Sequence, residues 1–197
     1  HKITQLAGSL LQEFLHAQEP TKANLKPPPI QQFQQWRPPD AFIYKANFDA
    51  AVFKSENRAG LGVVIRDWCG EAIGALTTSV PLAQTVVQLE ALACRRAVQF
   101  AREIGLSQVI FEGDASTVIQ AVQEGYSDVL PFGHVIEDIR VLALDFQFTS
   151  FTHVSRVCNV VADALAKKAK TCRGTQVWLE ERSEERRVGK ECRSRWS

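Results

Sequence analysis

The sequence predicts an α/β fold, one layered domain in which helices pack on a mixed β-sheet. Three observations lead there. Short strand-like runs come first, apolar residues recur at helical spacing in several longer segments, and the runs follow one another as βββαβααβα across residues 41–181. The composition agrees: 45% hydrophobic and 23% charged residues in a chain of 197 supply one core, and they exclude a collagen-like, coiled-coil or wholly disordered polypeptide.

Ile43 to Val52, Leu61 to Arg66 and Glu71 to Thr78 read as the first three strands, with Gly60 ahead of the second and Cys69-Gly70 turning into the third. In the first strand, alternation puts Ala46, Phe48, Ala50 and Val52 on one face and Lys45, Asn47 and Asp49 on the other. Val86 to Ile104 has the spacing of a long helix and stops at Gly105. A strand at Gln108 to Glu112 follows, then a helix from about Ser116 and another from about Phe132 to Leu144. A strand at Gln147 to His153 and a helix from about Asn159 to Ala169 complete the order.

Outside that unit the character changes. Residues 1–19 carry Leu6, Leu10, Leu11, Phe14 and Leu15 at helical spacing, the expected remnant of an upstream domain. Six of the eight prolines fall in residues 20–40 among repeated glutamines, the composition of an extended linker. Residues 182–197 have dense charge without apolar periodicity and read as a non-native tail. With no methionine at position 1 or elsewhere, the chain reads as a piece of a longer polypeptide.

Charge and cysteine usage narrow the class. With 23 basic and 22 acidic residues, the chain is not a strongly basic, charge-driven nucleic-acid binder. The longest charge-free stretch, Ala72 to Leu89, is too polar for a membrane span. Five cysteines without a C-x-x-C pair suit a reduced, intracellular compartment, nucleus or cytoplasm, better than a disulfide framework or structural zinc.

Several carboxylates stand where burial is expected. On the long helix Glu90 falls among Val86, Ala93, Cys94, Ala97, Ala101 and Ile104, while Arg95, Arg96, Gln99, Arg102 and Glu103 take the opposite side. It needs a cation, a proton or a water-filled cleft there, unless it is a rim residue that reaches solvent. Asp49 lies inside a strand, where aspartate is a poor former, unless that strand is a solvated edge. Asp114 ends an apolar strand, a usual position for a site in open α/β sheets and equally that of a helix N-cap. Asp163 shares the polar face of the last helix with Arg156, Asn159, Lys167 and Lys170, opposite Cys158, Val161, Leu165 and Ala169, and by itself reads as solvated surface.

Taken together, the blocks KANFDAAV, AGLGVVIRDWCGE, LEALACRRAVQFAREIG, IFEGDASTVIQAV and HVSRVCNVVADALAKKA resemble the type 1 ribonuclease H domain. The plant version found in non-LTR retrotransposon-derived, reverse transcriptase-like proteins is the nearest likeness. The resemblance spans about Trp36 to Leu179 and implies the ribonuclease H-like fold, a five-stranded mixed sheet flanked by helices. It also implies a D-E-D-D set at Asp49, Glu90, Asp114 and Asp163, a histidine for turnover and release at His153, and a fitting asparagine at Asn159. The implied substrate is the RNA strand of an RNA/DNA hybrid. The first block reads Asn47-Phe48-Asp49-Ala50 in place of the T-D-G form, and no basic handle with interleaved tryptophans is visible.

Such a carboxylate set has its own chemistry. At about 4 Å and an effective dielectric near 20, each like-charged pair costs on the order of 4 kcal/mol, so the set invites cations. Oxygen ligands without a His or Cys cluster select Mg²⁺, with Mn²⁺ as the substitute, and two ions support in-line phosphodiester hydrolysis. Asp49 is expected to bridge both ions, Glu90 and Asp114 to hold the leaving-group side, and Asp163 to complete the nucleophile side. His153 is expected to donate a proton or assist release, and Arg156, Asn159, Lys167 and Lys170 to contact nucleic acid. A phosphatase D-x-D pair fails because position 51 is Ala, and Gly60-Leu61-Gly62 precedes a strand and not a phosphate-binding helix. The domain is expected to be monomeric, and the rival expectation, of a different class, is a ribonuclease H-like module kept for nucleic-acid or protein binding after catalysis was lost.

Overall fold

The computed structural model describes residues 35–125 and 131–180. The helix expected in residues 1–19, the linker up to residue 34 and the tail at 182–197 lie outside the described residues. Six strands form one sheet: β1 (Tyr44–Phe53), β2 (Arg58–Arg66), β3 (Ala72–Pro81), β4 (Gln108–Gly113), β5 (Phe148–His153) and β6 (Thr175–Leu179). Four α-helices accompany them: α1 (Val86–Glu103), α2 (Ser116–Glu124), α3 (Gly133–Ala143) and α4 (Val160–Lys168).

The strand order is β5-β4-β1-β2-β3-β6. β1, β2 and β3 form an antiparallel meander, β4 runs parallel to β1, and β5 runs parallel to β4. The mixed sheet is as expected, but it has a sixth strand. β6 adds antiparallel to β3, which would otherwise be an edge. Its residues TQVWL are mostly exposed, with only Trp178 packed against apolar neighbours, so no inward-facing pattern announces it.

Both faces of the sheet are covered. On one, Ala46, Phe48, Leu61, Val63 and Ile65 meet α1, α2 and α3 in the main core. On the other, Ala51 and Phe53 meet Ala166 and Ala169 at the end of α4, and Val64 and Ala75 meet Leu165. α4 lies so close to β2 that a Cβ on Gly62 would stand 2.2 Å from Ala162 O and 2.3 Å from Ala166 N. The Thr77 hydroxyl donates to Leu165 O at 2.7 Å in the same contact.

Two expected faces change in the fold, while the first strand keeps its own. β1 is central and covered on both sides, not a solvated edge, so Asn47 and Asp49 are buried, with Ala51 and Phe53 buried beyond them. Val86, expected on the buried side of the long helix, opens the first turn and is exposed. Asp163 and Asn159, expected on the solvated face of the last helix, are buried because α4 presses that flank against β1.

Candidate active site

The central strand β1 delivers Asp49 to the point where β4 ends. In β4, Gly113 precedes Asp114, and a Cβ on Gly113 would come within 2.5 Å of the Phe48 ring. The glycine lets the strand ends close over that ring, with Asp49 following Phe48 and Asp114 following Gly113. Asp114 does not cap the next helix: the N-cap residue of α2 is Ala115, with no side-chain cap. α1 starts at Thr85, whose hydroxyl accepts the Gln88 N–H at 3.1 Å, and Glu90 follows in its second turn.

From these three elements Asp49, Glu90 and Asp114 each offer a carboxylate oxygen, all within 4.8 Å of one another, a grouping able to hold a metal ion. Asp49 and Glu90 are buried and Asp114 is half-buried. Burial, followed by the Asp114 charge, pushes Asp49 up to about 7, against the Ala50 N–H that donates to Asp49 Oδ1 at 2.8 Å and against Arg156. Burial, then the charges of Asp49 and Asp114, pushes Glu90 up to about 9. Glu90 Oε2 is buried and without a hydrogen-bond partner. An unsatisfied carboxylate oxygen is costly to bury, and a hard divalent cation satisfies that oxygen and the crowding together. The donor set therefore fits such an ion.

Asp163 is buried nearby and its charge reaches Asp49, but it stands outside the group of three. Its Oδ2 accepts from Lys167 Nζ at 2.7 Å, one turn along α4. Asn159 sits inside the fold, 1% exposed, and its Nδ2 donates to Phe48 O at 2.9 Å, so it ties α4 to β1 and does not face a nucleic acid. His153 is exposed at the end of β5, paired in register with Gly113, and its Nε2 lies 3.2 Å from Asp114 O. Arg156 is exposed and close enough to lower Asp49. Lys170 is exposed 3.8 Å from Glu56.

Sequence reasoning missed a second polar layer behind the carboxylates. Two residues back along β1 and β4, Asn47 Nδ2 donates to Glu112 Oε2 at 3.0 Å, and Asn47 Oδ1 accepts from Arg66 at 3.0 Å. Lys45 Nζ pairs with Glu112 Oε1 at 2.8 Å, and Trp36 Nε1 donates to Glu112 Oε2 at 2.9 Å. The Trp36 ring lies over the Arg66 guanidinium, 4.5 Å from its centroid, and burial draws Arg66 down to about 10 against the opposing pull of Glu112. Trp36, and Arg37 whose carbonyl accepts from Lys45 Nζ at 3.0 Å, thus pack on the folded unit, within the stretch expected as a linker. The signal available was the same as for Asp49, polar residues at inward strand positions, with Trp36 ending the proline-rich stretch.

The description "reverse transcriptase-like" is that of the family whose pattern matches residues 47–169. Among solved structures, RNase H1 from the halophilic archaeon Halobacterium salinarum is 27% identical, with a TM-score of 0.60, over 66% of this chain and 98% of that one. LC11-RNase H1, isolated from compost and solved in complex with RNA/DNA hybrid, is 22% identical with a TM-score of 0.57, over 64% of this chain and 95% of that one. The N-terminal RNase H domain of a Mycobacterium tuberculosis protein is 17% identical with a TM-score of 0.59, over 66% and 94%. No curated protein matches the chain. The shared architecture is the ribonuclease H fold. Among the described residues no helix is long and apolar enough to cross a membrane.

Proposed function

The chain belongs to the reverse transcriptase-like family, and from that premise we propose that it is a ribonuclease H-type endonuclease that hydrolyses the RNA strand of RNA/DNA hybrids. The observation that carries the reading is the meeting of Asp49, Glu90 and Asp114 oxygens within 4.8 Å around the unsatisfied Glu90 Oε2. The likeness to the archaeal RNase H1 at 27% identity supports it. The sequence blocks support the finer placement among plant, non-LTR retrotransposon-derived proteins, in which this domain follows an upstream one.

In this reading Asp49, Glu90 and Asp114 hold Mg²⁺, with Mn²⁺ as a substitute, and Asp163 completes a second position. Divalent ions bound there supply Lewis-acid polarisation of the scissile phosphate and a more acidic attacking water. The residues do the rest. Asp49 and Glu90 retain protons near neutral pH and must release them as they bind cations, so binding tightens as pH rises. The Ala50 N–H fixes Asp49 Oδ1 and so aims the opposite oxygen. His153, held by its ring nitrogen near Asp114 O and otherwise exposed, moves a proton to the departing oxygen or helps product leave. Arg156, just before α4, and Lys170, just after it, are both exposed and take phosphates.

The test uses the full chain with a hybrid labelled on its RNA strand, with Mg²⁺ or Mn²⁺. Wild type is expected to cleave within the RNA strand and Asp49→Asn to leave it intact. Equal cleavage by both, or none at any metal concentration, rejects the catalytic reading. Hybrid binding without cleavage would instead identify a binding module.

A further inference from the structure

We propose that Lys167 is a protein-supplied counter-ion that keeps Asp163 out of the metal group until a substrate phosphate draws the lysine away, an inference that rests on the metal-dependent reading above. Asp163 is 7% exposed, yet its Oδ2 is already taken by Lys167 Nζ at 2.7 Å. The other three carboxylates face one another within 4.8 Å, and among the described residues none of them has a lysine or arginine ion pair of this kind. The four are therefore unequal: three oxygens are poised to share an ion, while the fourth carries a cation of its own.

The helix cannot bring Asp163 further in. Asn159 binds its N-terminal end to Phe48 O, the Thr77 hydroxyl binds Leu165 O, and there is no room for a Cβ at Gly60 or Gly62 against its backbone. Asp163 changes partner only by a side-chain movement, and the mobile member of the pair is Lys167, whose side chain is 58% exposed against 9% for Asp163. A flexible four-carbon stem carrying a point charge exchanges one oxyanion for another without moving the backbone. A phosphate of the substrate is the oxyanion that arrives when the fourth carboxylate is needed. Lys167 thus neutralises Asp163 in the free protein, limits repulsion toward Asp49, and hands the carboxylate over on binding.

The experiment measures Mn²⁺ binding to the full chain without nucleic acid, by the electron paramagnetic resonance of the free ion, with thermal melting of every variant alongside. Lys167→Ala is expected to tighten the weaker Mn²⁺ binding about fivefold, the scale of removing one partly exposed competing charge. Lys167→Gln should behave alike and Lys167→Arg like wild type, and the gain should vanish when Asp163→Asn is added. In cleavage assays the same variant should need less metal for half-maximal rate and show a higher KM for hybrid. Unchanged or weaker Mn²⁺ binding in both Lys167→Ala and Lys167→Gln, or a gain that survives Asp163→Asn, overturns the proposal. Mn²⁺ binding to wild type that Asp49→Asn abolishes leaves the metal-dependent reading standing whatever Lys167 does. No Mn²⁺ binding to wild type overturns both.

Discussion

Replacing Asp49 with Asn should make the metal-free protein more stable above neutral pH while it destroys the site. In the folded state burial, then Asp114, raises Asp49 from 3.8 to about 7. Between those values the folded state binds more protons than the unfolded one, so stability falls as pH rises through the window, and the full penalty is present above about pH 7. At 1.36 kcal/mol per unit, the rise caps that penalty at about 4 kcal/mol. Solvent reaching the half-buried Asp114 screens the repulsive part, so a gain of about 2 kcal/mol is expected for the variant. Asparagine retains the Oδ1 that accepts the Ala50 N–H, so no donor is orphaned by the change. It also removes one of the charges that raise Glu90, which adds to the gain at higher pH. Urea unfolding in EDTA at about pH 8 and about pH 4.5 reads the effect, with most of the advantage expected at the higher pH and about a quarter of it at the lower. Mg²⁺ should raise the wild-type midpoint and leave that of the variant where it was. A variant no more stable than wild type at the higher pH, or equally favoured at both, would refute the reasoning.

Two further substitutions probe the scaffold. Gly62→Ala drives a methyl group against the Ala162 carbonyl and Ala166 nitrogen, neither of which can yield without moving α4, so a loss of about 3 kcal/mol or more is expected by chemical denaturation. A midpoint near that of wild type would show that α4 is free to lift. Trp36→Ala removes the ring over Arg66 and a donor to buried Glu112, an expected cost of about 3 kcal/mol. Trp36→Phe, which keeps a ring and leaves Glu112 with Lys45 and Asn47, should cost about 1 kcal/mol, and equal losses in the two variants would argue against stacking on Arg66.

Much of the scaffold was legible because its signals are local. The short apolar run of β2, the helical stripe of α1 and the stop at Gly105 depend on neighbours a few positions away. Glu90 was legible for the same reason, a carboxylate on a face otherwise made of Ala, Cys and Ile. β6 was not, because five mostly exposed residues become a strand only when the free edge of β3 offers its hydrogen bonds. The Trp36 layer was hidden likewise, since Trp36 and Glu112 are 76 residues apart and only the parallel pairing of β1 with β4 puts Asn47 beside Glu112.

Sequence by itself determined the α/β class and the order of its first nine elements, and it marked four acidic residues as candidates, because backbone periodicity and residue chemistry are written along the chain. Tertiary structure alone decided how those acids are divided. Asp49, Glu90 and Asp114 come from three elements that meet where β4 ends, whereas Asp163 stays one step aside on a helix pinned against β2 and paired with its own lysine. Which carboxylates repel, which keep a proton and which already hold a cation depend on distances across the fold and on exclusion of water, and neither is a property of a residue's place in the chain.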